Sequence, residues 1–222
     1  MVNQLFIRFR AGVDDNVEVP IFVCMLAFPS LKYPLHIFEP HYRLMVRKCV
    51  ELGTRMFGIC TKDPDKDFSD YGTMLHIENV DILPDGRSII QTTARRRFRV
   101  ISRSMKDGYN TAKVEWLEDE TPELDAELKE LEALNVDCGK HLEVWFNRLT
   151  QLQQTCVTNA IGPMPSLEEK LFSSPNGPSW LWWSLAAIPL QDRAKLIILS
   201  MTSLDERLRS IRRFLEILIT AR

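Results

Sequence analysis

Histidine and cysteine are the most chemically versatile side chains in this sequence, and neither type shows the spacing of a catalytic or metal centre. The histidines form no His-Glu-x-x-His motif and no local three-ligand cluster; they are His36, His41, His76 and His141. The five cysteines are odd in number and include no Cys-x-x-Cys pair. We therefore predict no metal site and no disulfide framework within this chain. A reducing compartment, the cytoplasm or the nucleus, fits this cysteine usage best.

Motifs for nucleophilic or phosphate chemistry are also missing from the sequence. It contains no Gly-x-Ser-x-Gly elbow, no Walker loop and no dinucleotide-binding Gly-x-Gly-x-x-Gly. A cysteine nucleophile needs an oriented base, whereas Cys49, Cys138 and Cys156 lie on apolar helical faces, where cysteine is usually a small buried hydrophobe. We predict that this chain is not an enzyme and needs no cofactor. A cysteine enzyme of unrecognised type is the weakest of the alternatives.

A basic run is the sharpest charge feature, with Arg95, Arg96, Arg97 and Arg99 close together. In a strand, Arg97 and Arg99 share the face opposite Phe98, so two guanidinium groups would lie on one side. Such a face could bind phosphate or an acidic peptide, or it could be a solvated face paired with nearby acids. The whole chain carries 28 basic and 30 acidic residues, and a net charge of −2 argues against a nucleic-acid binder.

The loop Ser30-Leu31-Lys32-Tyr33 is the candidate for partner recognition. It joins a predicted strand to a predicted helix and offers two large apolar side chains, which are favoured anchors when they are exposed on loops. We predict a partner-binding site at Leu31, Lys32 and Tyr33, with Arg96 and Arg99 contributing charge. The alternative is that Leu31 and Tyr33 simply cover the end of the barrel.

Three tryptophans follow a Pro-Asn-Gly-Pro turn, at positions 180, 182 and 183. On a helix, Trp180 and Trp183 share a face, while Trp182 points elsewhere. They could form an aromatic ligand cage, but a packed interface is the commoner use of clustered tryptophan. We predict that they pack.

The elements that must position these side chains are strands in the first half of the chain. Apolar and alternating runs predict six strands, over residues 19–26, 56–61, 73–83, 87–93, 97–102 and 111–117. One amphipathic helix is predicted to begin at Pro40 and to end before Gly53. Leu83-Pro84-Asp85-Gly86-Arg87 predicts a hairpin turn. This pattern favours a small antiparallel barrel over a parallel α/β sheet.

Helical periodicity replaces the strands near residue 118, where the balance of charge also changes sign. We predict a β-rich domain over residues 1–118 and a helical domain over 119–222. Apolar residues at steps of three and four from Leu124 to Cys156 predict one unbroken helix of about 33 residues. Further helices are expected over 179–187, 191–201 and 203–219. The predicted class is α+β, and no apolar run reaches the roughly 18–20 residues of a membrane span.

Several of these segments together resemble the N-terminal, substrate-binding domain of Lon proteases. They are Val19-Pro20-Ile21-Phe22-Val23, Pro34-Leu35-His36-Ile37-Phe38-Glu39-Pro40, Leu83-Pro84-Asp85-Gly86-Arg87 and Arg97-Phe98-Arg99-Val100. Pro175-Asn176-Gly177-Pro178-x-Trp-x-Trp-Trp is similar to the variant found in LON-domain RING-finger proteins. The likeness covers residues 19–220, with Ala94 standing where that family usually has glycine.

The resemblance implies a PUA-like β pseudobarrel with one helix, followed by a helical bundle with one long helix. It implies a protein-interaction module of a RING-type E3 ubiquitin ligase, which recognises client proteins while the RING domain recruits a ubiquitin-conjugating enzyme. Zinc is then expected only in the RING domain, which lies outside this sequence, so we expect this chain to be an isolated domain. The alternative is a nucleic-acid-binding barrel that uses the Arg95–Arg99 strand, since small β barrels of related shape bind RNA.

Overall fold

The computed structural model describes residues 17–168 and 170–220, which belong to two compact units. The first, here called the barrel unit, ends at Leu117, and the second, the helical unit, begins at Glu118. The class is α+β, as predicted. In its described residues, the barrel unit contains β1 (Val17–Cys24), β2 (Lys32–Ile37), α1 (Pro40–Glu51), β3 (Met56–Thr61), β4 (Tyr71–Ile82), β5 (Ser88–Lys106) and β6 (Tyr109–Leu117).

Five of the six strands close into a ring. β3 pairs with β4, β4 with β5, β5 with β6, and β6 with β1, each antiparallel, while β1 and β3 complete the ring as a parallel pair. The predicted barrel was antiparallel throughout, and this one pairing differs. The difference arises because β2 and α1 lie between β1 and β3 in sequence and form the long crossover that parallel neighbours need.

β2 was not predicted from the sequence, and its first residues, Lys32 and Tyr33, were expected to lie in a loop. It pairs antiparallel with the first part of β5, with Tyr33 opposite Thr92 and Leu35 opposite Ile90. Its side chains alternate strictly between exposed and buried, which is the signature of a strand with one wet face. Pro34 is compatible with this assignment because, among the described residues, β2 pairs with β5 alone, and edge strands tolerate proline.

Phe98 fills the interior of the barrel. Its side chain is fully buried, and a Cβ atom added to Gly58 would lie only 2.9 Å from Phe98 Cζ and 2.7 Å from Ile21 Cδ1. Gly72 faces the same ring, where an added Cβ would lie 2.6 Å from Phe98 Cζ. Two strands therefore reach close packing around one aromatic side chain because they carry no side chain at these positions.

The helical unit contains five helices in its described residues. They are α2 (Asp125–Arg148), α3 (Gln151–Ile161), α4 (Ser179–Ala187), α5 (Asp192–Ser200) and α6 (Leu204–Thr220), of which α2 and α6 share the most extensive packing. No helix within the described ranges is both long and apolar enough to cross a bilayer.

The prediction of one unbroken helix of about 33 residues is wrong, because the helix is interrupted between α2 and α3. Leu149 adopts an extended backbone with ψ of 144°, and Thr150 starts a new helix with a capping box. The hydroxyl of Thr150 accepts a hydrogen bond from the backbone N–H of Gln153, whose side-chain oxygen accepts from the backbone N–H of Thr150. A local cap therefore overrides a continuous apolar repeat.

All three clustered tryptophans are buried on α4, which confirms that they pack. Each indole N–H also has an acceptor; Trp182 donates to the carbonyl of Asn176 at 2.9 Å and Trp183 to the carbonyl of Gly162 at 3.0 Å. The guanidinium of Arg207 lies 4.6 Å from the centre of the Trp182 ring and pairs with Asp119, so the centre of this unit holds a buried ion pair.

Candidate binding groove on the barrel unit

Leu31 and Tyr33 are not exposed anchors, and that expectation is wrong. Their side chains are 6% and 8% exposed, because both belong to the inward-facing set that continues along β2. The Tyr33 hydroxyl accepts a hydrogen bond of 2.8 Å from the backbone N–H of Phe28, and burial raises the pKa of this phenol to about 12. Their burial agrees with the alternative interpretation of the loop, in which these two side chains cover the barrel.

The charged members of the predicted site are divided between β2 and β5. Lys32 is exposed on β2, and the Arg96 guanidinium lies 4.6 Å from the centre of the Trp116 ring. Arg99 donates from Nε to Glu115 Oε2 at 2.8 Å, so it is paired as a solvated strand face would be. Arg97, expected to share an exposed face with Arg99, is fully buried. The nucleic-acid alternative on the Arg95–Arg99 strand thus loses Arg97 as a surface group, while Arg99 is paired.

A groove with a volume of about 590 Å³ lies elsewhere on the barrel unit, between α1 and the far end of the β4–β5 hairpin. We name it the α1–hairpin groove. Its lining residues are Arg43, Val46, Arg47, Val50, Glu51, Arg55, Asn79, Val80, Ile82, Gly86 and Ser88.

The α1 wall of this groove follows from the amphipathic helix that begins at Pro40. Burial of Tyr42, Met45, Val46 and Cys49 against the barrel confirms the predicted apolar face. The same burial turns Arg43 and Arg47 outward toward the groove, four residues apart and so about 6 Å along the axis. The helix therefore presents two guanidinium groups in one row.

The hairpin wall begins at a bulge in β4. Pairing of β4 with β5 shifts register between Ile77 and Asn79, which leaves Glu78 as the extra residue. Arg55 secures this bulge, since its Nε donates to the carbonyl of Ile77 and its Nη2 to the carbonyl of Glu78, both at 3.0 Å. Arg55 itself has a left-handed backbone with φ of +51°, which is uncommon for a residue other than glycine. A strained residue and a bulge thus set the direction of the groove wall.

The hairpin tip is the predicted turn at Leu83–Arg87, which the structure confirms. The N–H of Leu83 donates to the carbonyl of Arg87, and the N–H of Gly86 to the carbonyl of Leu83, both at 2.8 Å. Gly86 has φ of +82°, and the Arg43 guanidinium rests against it in space that a Cβ atom would occupy. The glycine of the turn therefore also makes room for a cation of the opposite wall.

Charge in the groove is predominantly positive. Three arginines and one carboxylate, Glu51, line it. Asp85 is nearby, but the backbone and side chain of Arg87 bind it and hold its pKa below the usual range, with Arg43 adding a smaller electrostatic effect. Within residues 17–168 and 170–220, Arg43 and Arg47 form neither a hydrogen bond nor an ion pair with another side chain. Two cations are therefore available to a ligand.

The groove is apolar between these charges. Val46 is buried, Val50 and Val80 are half-buried, and Ile82 is 75% exposed at the rim. Nowhere in the described part of the chain do three His, Cys, Asp or Glu side chains converge as metal ligands would. The chemistry on offer is the burial of apolar side chains and the pairing of carboxylates, which is recognition chemistry.

The role of the three groove arginines was not predicted, although the spacing of two of them was visible in the sequence. Arg43 and Arg47 occupy the polar side of a helix whose apolar side was identified correctly, and a four-residue spacing of like charges on such a face is readable. Arg55 carried no such signal, because its place depends on a bulge in β4.

A β-barrel unit together with a helical unit is the architecture of a family of substrate-binding domains. The family model described as the ATP-dependent protease La (LON) substrate-binding domain matches residues 18–216. The chain belongs to this family, as the sequence resemblance indicated.

Relatives and solved structures agree with this assignment. A LON peptidase N-terminal domain and RING finger protein of Schizosaccharomyces pombe is 32% identical, with the match covering 40% of this chain. That match covers 22% of the fission yeast protein, so the chain corresponds to a minor part of its length.

Two solved structures share the fold. One is a Lon N-terminal domain protein from Xanthomonas campestris, with a TM-score of 0.58 at 23% identity, covering 88% of this chain and 96% of that one. The other is the N-terminal domain of a Mycobacterium avium complex Lon protease, with a TM-score of 0.63 at 15% identity, covering 90% and 98%.

Proposed function

We propose that this chain recognises client proteins for a RING-type E3 ubiquitin ligase and that the α1–hairpin groove is its client-binding site. The observation that carries the site is an apolar groove with two available arginines on a domain of the LON substrate-binding family. A client held there contributes apolar side chains to the floor, and the groove performs no reaction on it.

The ligase role is supported by the RING finger in the name of the fission yeast relative. In this proposal a RING domain, outside the present sequence, holds zinc and recruits the ubiquitin-conjugating enzyme. The LON domain supplies the client, and the work takes place in the cytoplasm or the nucleus. Bringing client and conjugating enzyme onto one polypeptide raises their effective concentration, and this proximity is the whole contribution required of the present chain.

The binding part of the proposal is tested with the purified domain and a permanently unfolded, fluorescently labelled protein. Ile82→Asp places a charge at the exposed rim of the groove, where no buried contact is lost, and we expect affinity to fall about tenfold or more. Lys32→Ala with Arg99→Ala is the matched control, because it removes two of the three charges of the site that the sequence first suggested, leaving Arg96. Loss of binding in the control with retention in Ile82→Asp would move the site to the β2–β5 face.

The ligase part is tested in a full-length protein that contains both this domain and a RING domain. We expect Ile82→Asp to reduce ubiquitin transfer to the unfolded client while leaving ubiquitin transfer by the RING domain to itself unchanged. Equal loss of both reactions would contradict a separate recognition role for this domain.

A further inference from the structure

We infer that the α1–hairpin groove selects extended client segments in which carboxylates alternate with apolar side chains. The inference rests on the proposed function, which makes the groove a client-binding site, and adds the chemical class of client that it takes.

The positive charge of the groove lining favours an acidic client. The groove lining carries three guanidinium groups and one carboxylate, and neither Arg43 nor Arg47 forms a hydrogen bond or an ion pair with another side chain among the residues that the structure describes. Guanidinium is a planar fork that pairs with a carboxylate through two parallel hydrogen bonds. An acidic client satisfies these groups, whereas a basic client would bring like charges together.

The two walls of the groove also differ in chemistry. The α1 wall presents Arg43 and Arg47 beside Val46, Val50 and Glu51, whereas the β4 wall carries no charged side chain and presents Val80 and Ile82 with Asn79. An extended segment directs successive side chains to opposite sides. Its alternate residues therefore meet different walls, with carboxylates toward α1 and apolar groups toward β4.

The spacing of Arg43 and Arg47 also matters. Residues four apart on a helix are separated by about 6 Å along its axis. Residues two apart in an extended segment are separated by about 6.6–6.8 Å and point the same way. One pair of carboxylates at alternate positions consequently matches the row formed by Arg43 and Arg47.

The turn at Gly86 also favours the binding of carboxylates, because it helps to hold the Arg43 guanidinium in position. Because Gly86 has no side chain, the Arg43 guanidinium rests against the turn rather than extending freely into solvent. Arg55 is likewise held by two backbone carbonyls at the β4 bulge. Cations that are already positioned lose less side-chain entropy when a ligand binds.

The inference is tested by fluorescence anisotropy with three labelled peptides of equal length, in which leucine alternates with aspartate, asparagine or lysine. We expect the Leu/Asp peptide to bind the intact domain at least about tenfold more tightly than the Leu/Asn peptide, and the Leu/Lys peptide to bind most weakly. Raising the ionic strength should narrow this difference, because salt screens the exposed part of the attraction.

Arg43→Gln combined with Arg47→Gln should abolish the preference for aspartate, while Arg209→Gln, a change to an exposed arginine paired with Asp205 in the helical unit, should preserve it. Circular dichroism checks that each variant is folded. Equal binding of the Leu/Asp and Leu/Asn peptides would overturn the acidic preference while leaving client recognition intact. A preference for aspartate that survives the double substitution would place the acidic site outside the groove. Binding of no peptide, while unfolded protein is captured through Ile82, would also overturn the inference without touching the proposed function.

Discussion

The indole Nε1 of Trp180 donates a hydrogen bond of 3.0 Å to Oδ1 of Asn135, and both side chains are buried. Asn135 is the polar member of the otherwise apolar seam of α2, and this bond accounts for its presence there. The asparagine also donates weakly, at 3.4 Å, to the carbonyl of Glu168. One amide thus joins α2, α4 and the connecting segment of the helical unit.

Replacing Asn135 by leucine should destabilise the helical unit by about 1–3 kcal/mol, because the Trp180 N–H is then buried without its acceptor. Urea denaturation followed by tryptophan fluorescence measures the change. Adding Trp180→Phe to the leucine variant should cost less than the sum of the two single changes, since the orphaned donor is removed. Strict additivity would contradict the coupling.

Asp119→Ala should destabilise the protein by about 3–5 kcal/mol, because it leaves the fully buried Arg207 guanidinium without its charge partner. The remaining contacts of Arg207 Nη1, such as that to the carbonyl of Met201 at 3.1 Å, are neutral. Asp205→Ala, which breaks the solvent-exposed pair with Arg209, is the control and should cost less than about 1 kcal/mol. Comparable losses of stability in both variants would mean that burial does not increase the contribution of the Asp119–Arg207 pair to stability.

Gly58→Ala should destabilise the barrel unit by about 1–3 kcal/mol through overpacking, because its Cβ would press on Phe98 and Ile21. Both contacts are side chains, so a smaller residue at position 98 can relieve part of the strain. We expect the double variant with Phe98→Leu to be more stable than the two separate losses predict. Thermal unfolding monitored by circular dichroism provides the comparison.

Alkaline pH should destabilise the fold through its buried thiols. Burial raises the pKa of Cys60 to about 12, and burial likewise raises the pKa of Cys138 to about 12. The pKa of each thiol is higher in the folded state than in the unfolded state. The contribution of these thiols to the free energy of unfolding is therefore fully present below about pH 8.5 and is lost as pH rises toward 12. The free energy of unfolding should therefore decline steadily when urea titrations are repeated between pH 8.5 and 10.5.

Cys60→Ala provides the control for this pH dependence. The variant is less stable at pH 8 because it loses buried volume, but its stability should fall less steeply with pH. At pH 8 a thiol reagent should also label only the exposed Cys24 and Cys156 of the native protein. Rapid labelling of Cys60 in the folded state would contradict its burial.

Local signals explain which parts of the fold could be predicted. The turn at Leu83–Arg87 and the start of α1 at Pro40 were predicted correctly, because proline and glycine restrict the backbone wherever they occur. The alternation from Leu31 to Ile37 was also present in the sequence, but Pro29 before it and Pro34 within it favoured a loop. Thr150 was another local signal, hidden by an apolar repeat that continues through the break.

Other features depend on residues far apart in the chain and could not be read from it. Arg97 sits at an outward position of β5, where alternation predicts exposure, yet it is fully buried. The α1–hairpin groove requires that α1 lie beside the end of a hairpin some thirty residues later, and the bulge at Glu78 gives no mark in the sequence. Most individual helices and strands could be predicted from the sequence, whereas the groove that they form together could not.

The closure of the barrel by β1 and β6 has a consequence for synthesis on the ribosome. The side chains of Glu18 and Thr111, which are hydrogen-bonded across this pair, are 93 residues apart in sequence. At translation rates of about 5–20 residues per second, β1 is made roughly 5–20 s before the strand that closes the ring. Throughout that interval the apolar side chains of Val19 and Ile21 lack their final neighbours. β1 is thus made before the other described strands of the barrel and is among the last to be sealed, and nascent-chain chaperones have that interval in which to bind it.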